Sequence, residues 1–99
     1  MSFVIAHPEA LATAAGHLNA AGSIMAAQNT AAAAMTTGLF PAAADEVSAL
    51  TAVQFSAHGA MYQAVSAQAT AIHEMFVEML RSSGVSYAAT EAINTLATR

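Results

Sequence analysis

Four histidines, His7, His17, His58 and His73, are the side chains of this 99-residue chain best suited to bind a metal or pass a proton. Helical metal sites set their ligands at i, i+3 or i+4 with carboxylate support, and no two of these histidines have that spacing. His73 with Glu78 makes no such set. The chain has no cysteine, hence no thiolate ligand and no disulfide. No Gly-x-Ser-x-Gly stretch occurs, and a thin helical protein lacks a pocket for a base, its orienting carboxylate and an oxyanion hole. The sequence therefore predicts no enzyme, no metal and no cofactor. One pair remains: Tyr87 and Glu91, in "SSGVSYAATEA", stand one helical turn apart and would share a face. Two readings suit it. Either Val85, Tyr87, Ile93 and Leu96 patch the tip of the protein, or another molecule reads the pair.

Charge narrows the partners. Arg81 and Arg99 are the only basic residues against six acidic ones, for a formal net charge of −4. That excludes a phosphate footprint and so nucleic acid, and it leaves no basic face for anionic lipid. No positive charge precedes Arg81, so "MSFVIAHPEAL" lacks the basic n-region of a general secretory signal peptide. Residues 10–44 carry no Asp, Glu, Lys or Arg. Their bulk is alanine, interspersed with His17, Asn19, Gln28 and Asn29, which suits a covered helix better than a membrane span.

The elements that hold these residues are two long helices. Apolar residues are 57% of the chain, but 28 are alanine, so large side chains are scarce. Pro8 suits a first helical position and Glu9 the helix dipole. Leu11, Leu18, Met25 and Ala32 recur every seven residues, with Ala14, Ala15, Ala21 and Gly22 beside them, so a neighbouring helix can approach closely. This predicts helix 1 over about 8–37 and a turn over about 38–41, at Gly38 and Pro41. Helix 2 is expected over about 42–83, ended by Ser82, Ser83 and Gly84, with residues 85–99 as a separate tail. On a wheel its Val47, Leu50, Met61, Tyr62, Val65, Ile72, Met75, Phe76, Met79 and Leu80 gather on one side. Asp45, Ser56, Gln63, Thr70, Glu74, Glu78 and Arg81 lie opposite. Helix 1, folded back antiparallel, would cover part of that stripe. The rest calls for another chain, because a two-helix hairpin encloses no core of its own.

Taken in order, "MSFVIAHPEALATAAG", "TTGLFPAAADEVSALTA" and "QFSAHGAMYQAVSAQATAIHEMFVEML" resemble the mycobacterial PE proteins over essentially the whole chain. The Pro-Glu pair that gives the family its name matches Pro8 and Glu9. Met35 stands where many relatives carry proline. The chain looks like a short member without a C-terminal extension. The resemblance implies an all-α hairpin over residues 1–84 that completes a four-helix bundle with a PPE protein as an obligate heterodimer. Leu11, Leu18, Met25, Val47, Leu50, Met61, Val65, Ile72, Met75 and Met79 are the expected contacts. It also implies export by a type VII (ESX) secretion system, with Tyr87 and Glu91 matching the Tyr-x-x-x-Asp/Glu signal in the tail 85–99. A chaperone would be met only through the PPE partner. The product would be secreted or held at the cell envelope, with a role in host interaction. An alternative is an envelope or outer-membrane component that helps small solutes cross together with its PPE partner.

Overall fold

Pro8 and Asp45 decide where the helices begin. The computed structural model describes residues 4–99, all-α, with α1 at Pro8–Thr37 and α2 at Glu46–Ala97. The first three residues of the 1–84 range lie outside the described residues, as does the start of "MSFVIAHPEAL". The His7 carbonyl accepts from Ala10 N at 3.0 Å and Leu11 N at 3.3 Å, while Pro8 has no N–H to leave unpaired. At the other end of α1 the hydroxyls of Thr36 and Thr37 donate to the carbonyls of Ala32 at 2.9 Å and Ala33 at 2.6 Å. Gly38 N closes the last turn on Ala34 O at 3.2 Å, and Pro41 follows three residues on.

Two boundaries differ from expectation. The connection runs over residues 38–45 rather than 38–41, because Asp45 caps α2. Its carboxylate accepts from Ser48 N at 2.8 Å and Ser48 Oγ at 2.9 Å, which fixes the first helical residue at Glu46. Nor does the helix break at Ser82, Ser83 and Gly84: α2 continues to Ala97, so residues 85–97 are its last turns and not a separate tail. Gly84 has ordinary negative φ. It serves close contact, with the positions a Cβ would need lying 3.4 Å from Pro8 O and 3.5 Å from Leu11 Cβ.

The chain divides into two units, each an antiparallel pairing of an α1 segment with an α2 segment. The turn unit, Ser23–Ile72, is tied by Leu39 N donating to Ser56 Oγ at 3.2 Å and by a close approach of Gly59 to Thr36. A side chain at Gly59 would run into the Thr36 carbonyl, so only glycine permits this spacing. The terminal unit joins the residues up to Gly22 with His73–Arg99. Buried apolar residues among those described are few and mostly small: Ala52 in the turn unit, Ala15 and Val77 in the terminal unit.

Candidate interaction surface

The α2 residues that lose most exposure follow each other at spacings of three and four, the repeat of a helix–helix seam. In the turn unit they are Ser48, Ala52, Ser56, Gly59, Gln63, Ser66 and Thr70; in the terminal unit, His73, Val77, Leu80 and Gly84. Ser56, Gln63 and Thr70 thus face α1, correcting the expectation that they lie on the solvent side. The physical reason is volume. A seam between only two helices has room for small side chains, and its few polar ones find partners across it.

Those partners are specific. In the turn unit Asn29 is the hub: its Nδ2 donates to Ser66 Oγ at 2.5 Å, and its Oδ1 accepts from Tyr62 OH at 2.9 Å. The Asn29 carbonyl accepts from Gln63 Nε2 at 3.0 Å. In the terminal unit His73 Nε2–H donates to the Leu18 carbonyl at 2.6 Å. Its ring occupies the space over Gly22, where a Cβ would come within 2.7 Å of it. No side-chain N or O atom among the described residues is buried without a partner. His73 is therefore a seam residue. His7 lies 3.6 Å from Glu9 Oε1 in the open, and His17 and His58 are exposed. Among the described residues no group of three or more His, Cys, Asp or Glu is placed to hold a metal.

Of the apolar stripe that α1 is expected to cover in part, Leu80 lies half-buried in the seam and the Tyr62 hydroxyl reaches Asn29, while most of the other large residues point elsewhere. Val47, Leu50, Met61, Val65 and Ile72 in the turn unit are 63% to 74% exposed, and Met75 and Met79 in the terminal unit are likewise exposed. On α1, Met25 is exposed, whereas Leu11 and Leu18 are half-buried within the terminal unit. Two shallow apolar grooves lie beside these residues in the turn unit. One of about 360 Å³ runs between Met35, Leu39, Phe55 and Tyr62; the other, about 530 Å³, is lined by Val47, Leu50, Phe55 and His58.

At the end of α2, Tyr87 and Glu91 lie exposed one turn apart on continuous helix. Hydroxyls of Thr90 and Thr95 donate back to the carbonyls of Ser86 at 3.0 Å and Glu91 at 2.8 Å. Pro8 and Glu9 line a groove of about 450 Å³ with Arg81, Gly84, Val85 and Ala88. Among titratable groups Asp45 is perturbed. The hydrogen bonds from the Ser48 backbone N–H and then its hydroxyl hold its carboxyl below the ordinary value of 3.8. The Asn29 cluster was missed in the sequence. A reading that took Ser56, Gly59, Gln63, Ser66 and Thr70 for a seam because they are small or polar would have found it.

Comparison with known proteins places the chain. The sequence model of the PE family matches residues 4–94. PE family protein PE13 of Mycobacterium tuberculosis is 62% identical over 97 residues, covering 98% of both chains. PE family protein PE8 of the same species is 54% identical over 97 residues, 98% of this chain but 35% of that protein. The PE-PGRS family protein PE_PGRS3 is 58% identical over 92 residues, 93% of this chain and 10% of its own length. The chain thus spans nearly all of one relative and a minor part of the other two.

Proposed function

We propose that this chain, which belongs to the PE family, acts as the non-enzymatic helical half of an obligate pair with a PPE-family protein, carrying a type VII export label at Tyr87 and Glu91. The observation that carries this reading is the outward apolar set on α2. Val65 and Ile72 in the turn unit and Met75 and Met79 in the terminal unit are all more than 60% exposed. Large apolar side chains left in water at helical spacing favour a partner helix. Area points the same way. The chain exposes 7685 Å², against roughly 5,200 Å² expected of a folded monomer of its 10.0 kDa mass. The excess is comparable to what one chain loses in a large obligate interface.

One further feature supports the export reading. Tyr87 and Glu91 share an exposed face at the end of α2. No helix among the described residues is long and apolar enough to cross a membrane. Co-expression with candidate PPE chains tests the pairing, and a true partner is expected to convert an aggregating chain into a soluble heterodimer. Tyr87→Ala and Glu91→Ala test the label. Each is expected to leave the heterodimer intact and to remove the protein from the culture medium. Normal export of both variants would remove the label from this account.

A further inference from the structure

The α1-facing stripe of α2 in the terminal unit outlasts α1. It passes through Val77, Leu80 and Gly84 at alternating spacings of three and four, and the same alternation continues through Tyr87, Glu91 and Asn94. Because α2 stays helical to Ala97, these three positions prolong the face that α1 covers lower down. α1 begins only at Pro8, close over Gly84, and residues 4–7 are not helical. Tyr87 is 51% exposed, and Glu91 and Asn94 are exposed. The last turns of α2, about three of them, thus carry a seam with no helix opposite among the described residues.

The chemistry of that seam says what fits it. Glu91 is the single charged residue between Ser82 and Thr98, and no ion pair to it is found among the described residues. A cationic side chain set against it meets no competing cation on the seam. The ring at Tyr87 needs a small residue beneath it, as the His73 ring has Gly22. Resting on the reading of Tyr87 and Glu91 as an export label, we infer that the label is read as a helix face. Its occupant is a helix of the export receptor, antiparallel to α2 and continuing the line that α1 leaves at Pro8. That helix sets a lysine or arginine against Glu91 and a small residue under Tyr87.

Register separates this from recognition of a linear motif. One alanine inserted between Ser86 and Tyr87 keeps "YAATE" whole but turns the pair by roughly 100° from the seam. The same alanine inserted after Leu96 leaves Tyr87, Glu91 and Asn94 in place. Each variant is co-expressed with the partner chain, and export is normalised to the co-purified pair, so a folding loss does not read as an export loss. The upstream insertion is expected to lower export by about tenfold or more, with the downstream one exporting like the unmodified chain. An effect of both insertions, or of neither, overturns the inference. Glu91→Gln keeps the shape and removes the charge; export is expected to fall by about fivefold, and unchanged export overturns the cationic helix. If Tyr87→Ala abolishes export while the upstream insertion does not, the label stands and its reading as a helix face falls. If the alanine variants export normally, the label itself falls.

Discussion

Along α2, the face that meets α1 carries Ser56, Gly59, Gln63 and Ser66 in the turn unit and His73 and Val77 in the terminal unit, while the opposite face carries Val65, Ile72, Met75 and Met79. The inner face is small and hydrogen-bonded; the outer is large, apolar and bare. An ordinary amphipathic helix does the reverse, hiding its large residues within its own chain. The difference teaches that internal contact here sets spacing and register and leaves most of the large apolar surface bare, which the proposed pairing would hold for another molecule. Polar residues at seam positions suit the first task, since a mismatched register leaves them without partners. Large aliphatic and thioether side chains suit the second, each contributing about 1.5–3 kcal/mol when fully covered.

Substitutions that treat the two faces alike should have unequal effects. The largest is expected on the outer face. Val65→Asp and Ile72→Asp leave the free chain's helix content unchanged, because both sites are exposed there, yet bury an unpaired charge in the pair. Co-purified heterodimer should fall by about tenfold or more; wild-type yields would mean that the partner sits elsewhere. On the inner face, Gly59→Ala drives a methyl into the Thr36 backbone and is expected to destabilise the protein by about 1–3 kcal/mol in a thermal melt. Gly16→Ala is its control. Nothing lies within 4 Å of that position, so helix propensity alone should raise stability by about 0.5–1 kcal/mol.

Asn29→Ala deletes the hub that Tyr62 and Ser66 share, for an expected cost of about 1 kcal/mol. An unchanged melting temperature would show that the cluster decides register without adding stability. The smallest effect belongs to the cap of α2. The Asp45 carboxyl titrates below its ordinary 3.8, so its contribution is complete above that value and is lost as pH falls through the lowered one. Circular dichroism from neutral pH down to that range should show helix loss in the native chain that Asp45→Asn does not repeat.

Much of this arrangement was legible in residue order. Pro8 at one end and Gly38 at the other delimit α1, and Ala15 and Gly22 do lie where the helices approach closely. The surplus of apolar surface on α2 was also apparent. What misled was size. Ranking positions by hydrophobicity put Ser56, Gln63 and Thr70 outside, because nothing in a wheel says that the first neighbour is close and thin. Gly84 misled in the same way: beside two serines it reads as a helix stop, while its contacts with Pro8 and Leu11 make it a point of close packing. A helical wheel places Asp45 only on the polar side, and its bonds to Ser48 make it a cap and shift the start of α2 by several residues.

The methionines have a chemical consequence. Met25, Met35 and Met61 in the turn unit and Met75 and Met79 in the terminal unit all stand open to solvent. A thioether in that position oxidises to the sulfoxide, which makes an apolar side chain polar and chiral. Under the proposed pairing, peroxide acting on the unpaired chain would erase the greasy surface that a mate must recognise, whereas docking would shield the same sulfurs. Pairing before exposure to oxidants would then protect the protein as well as assemble it.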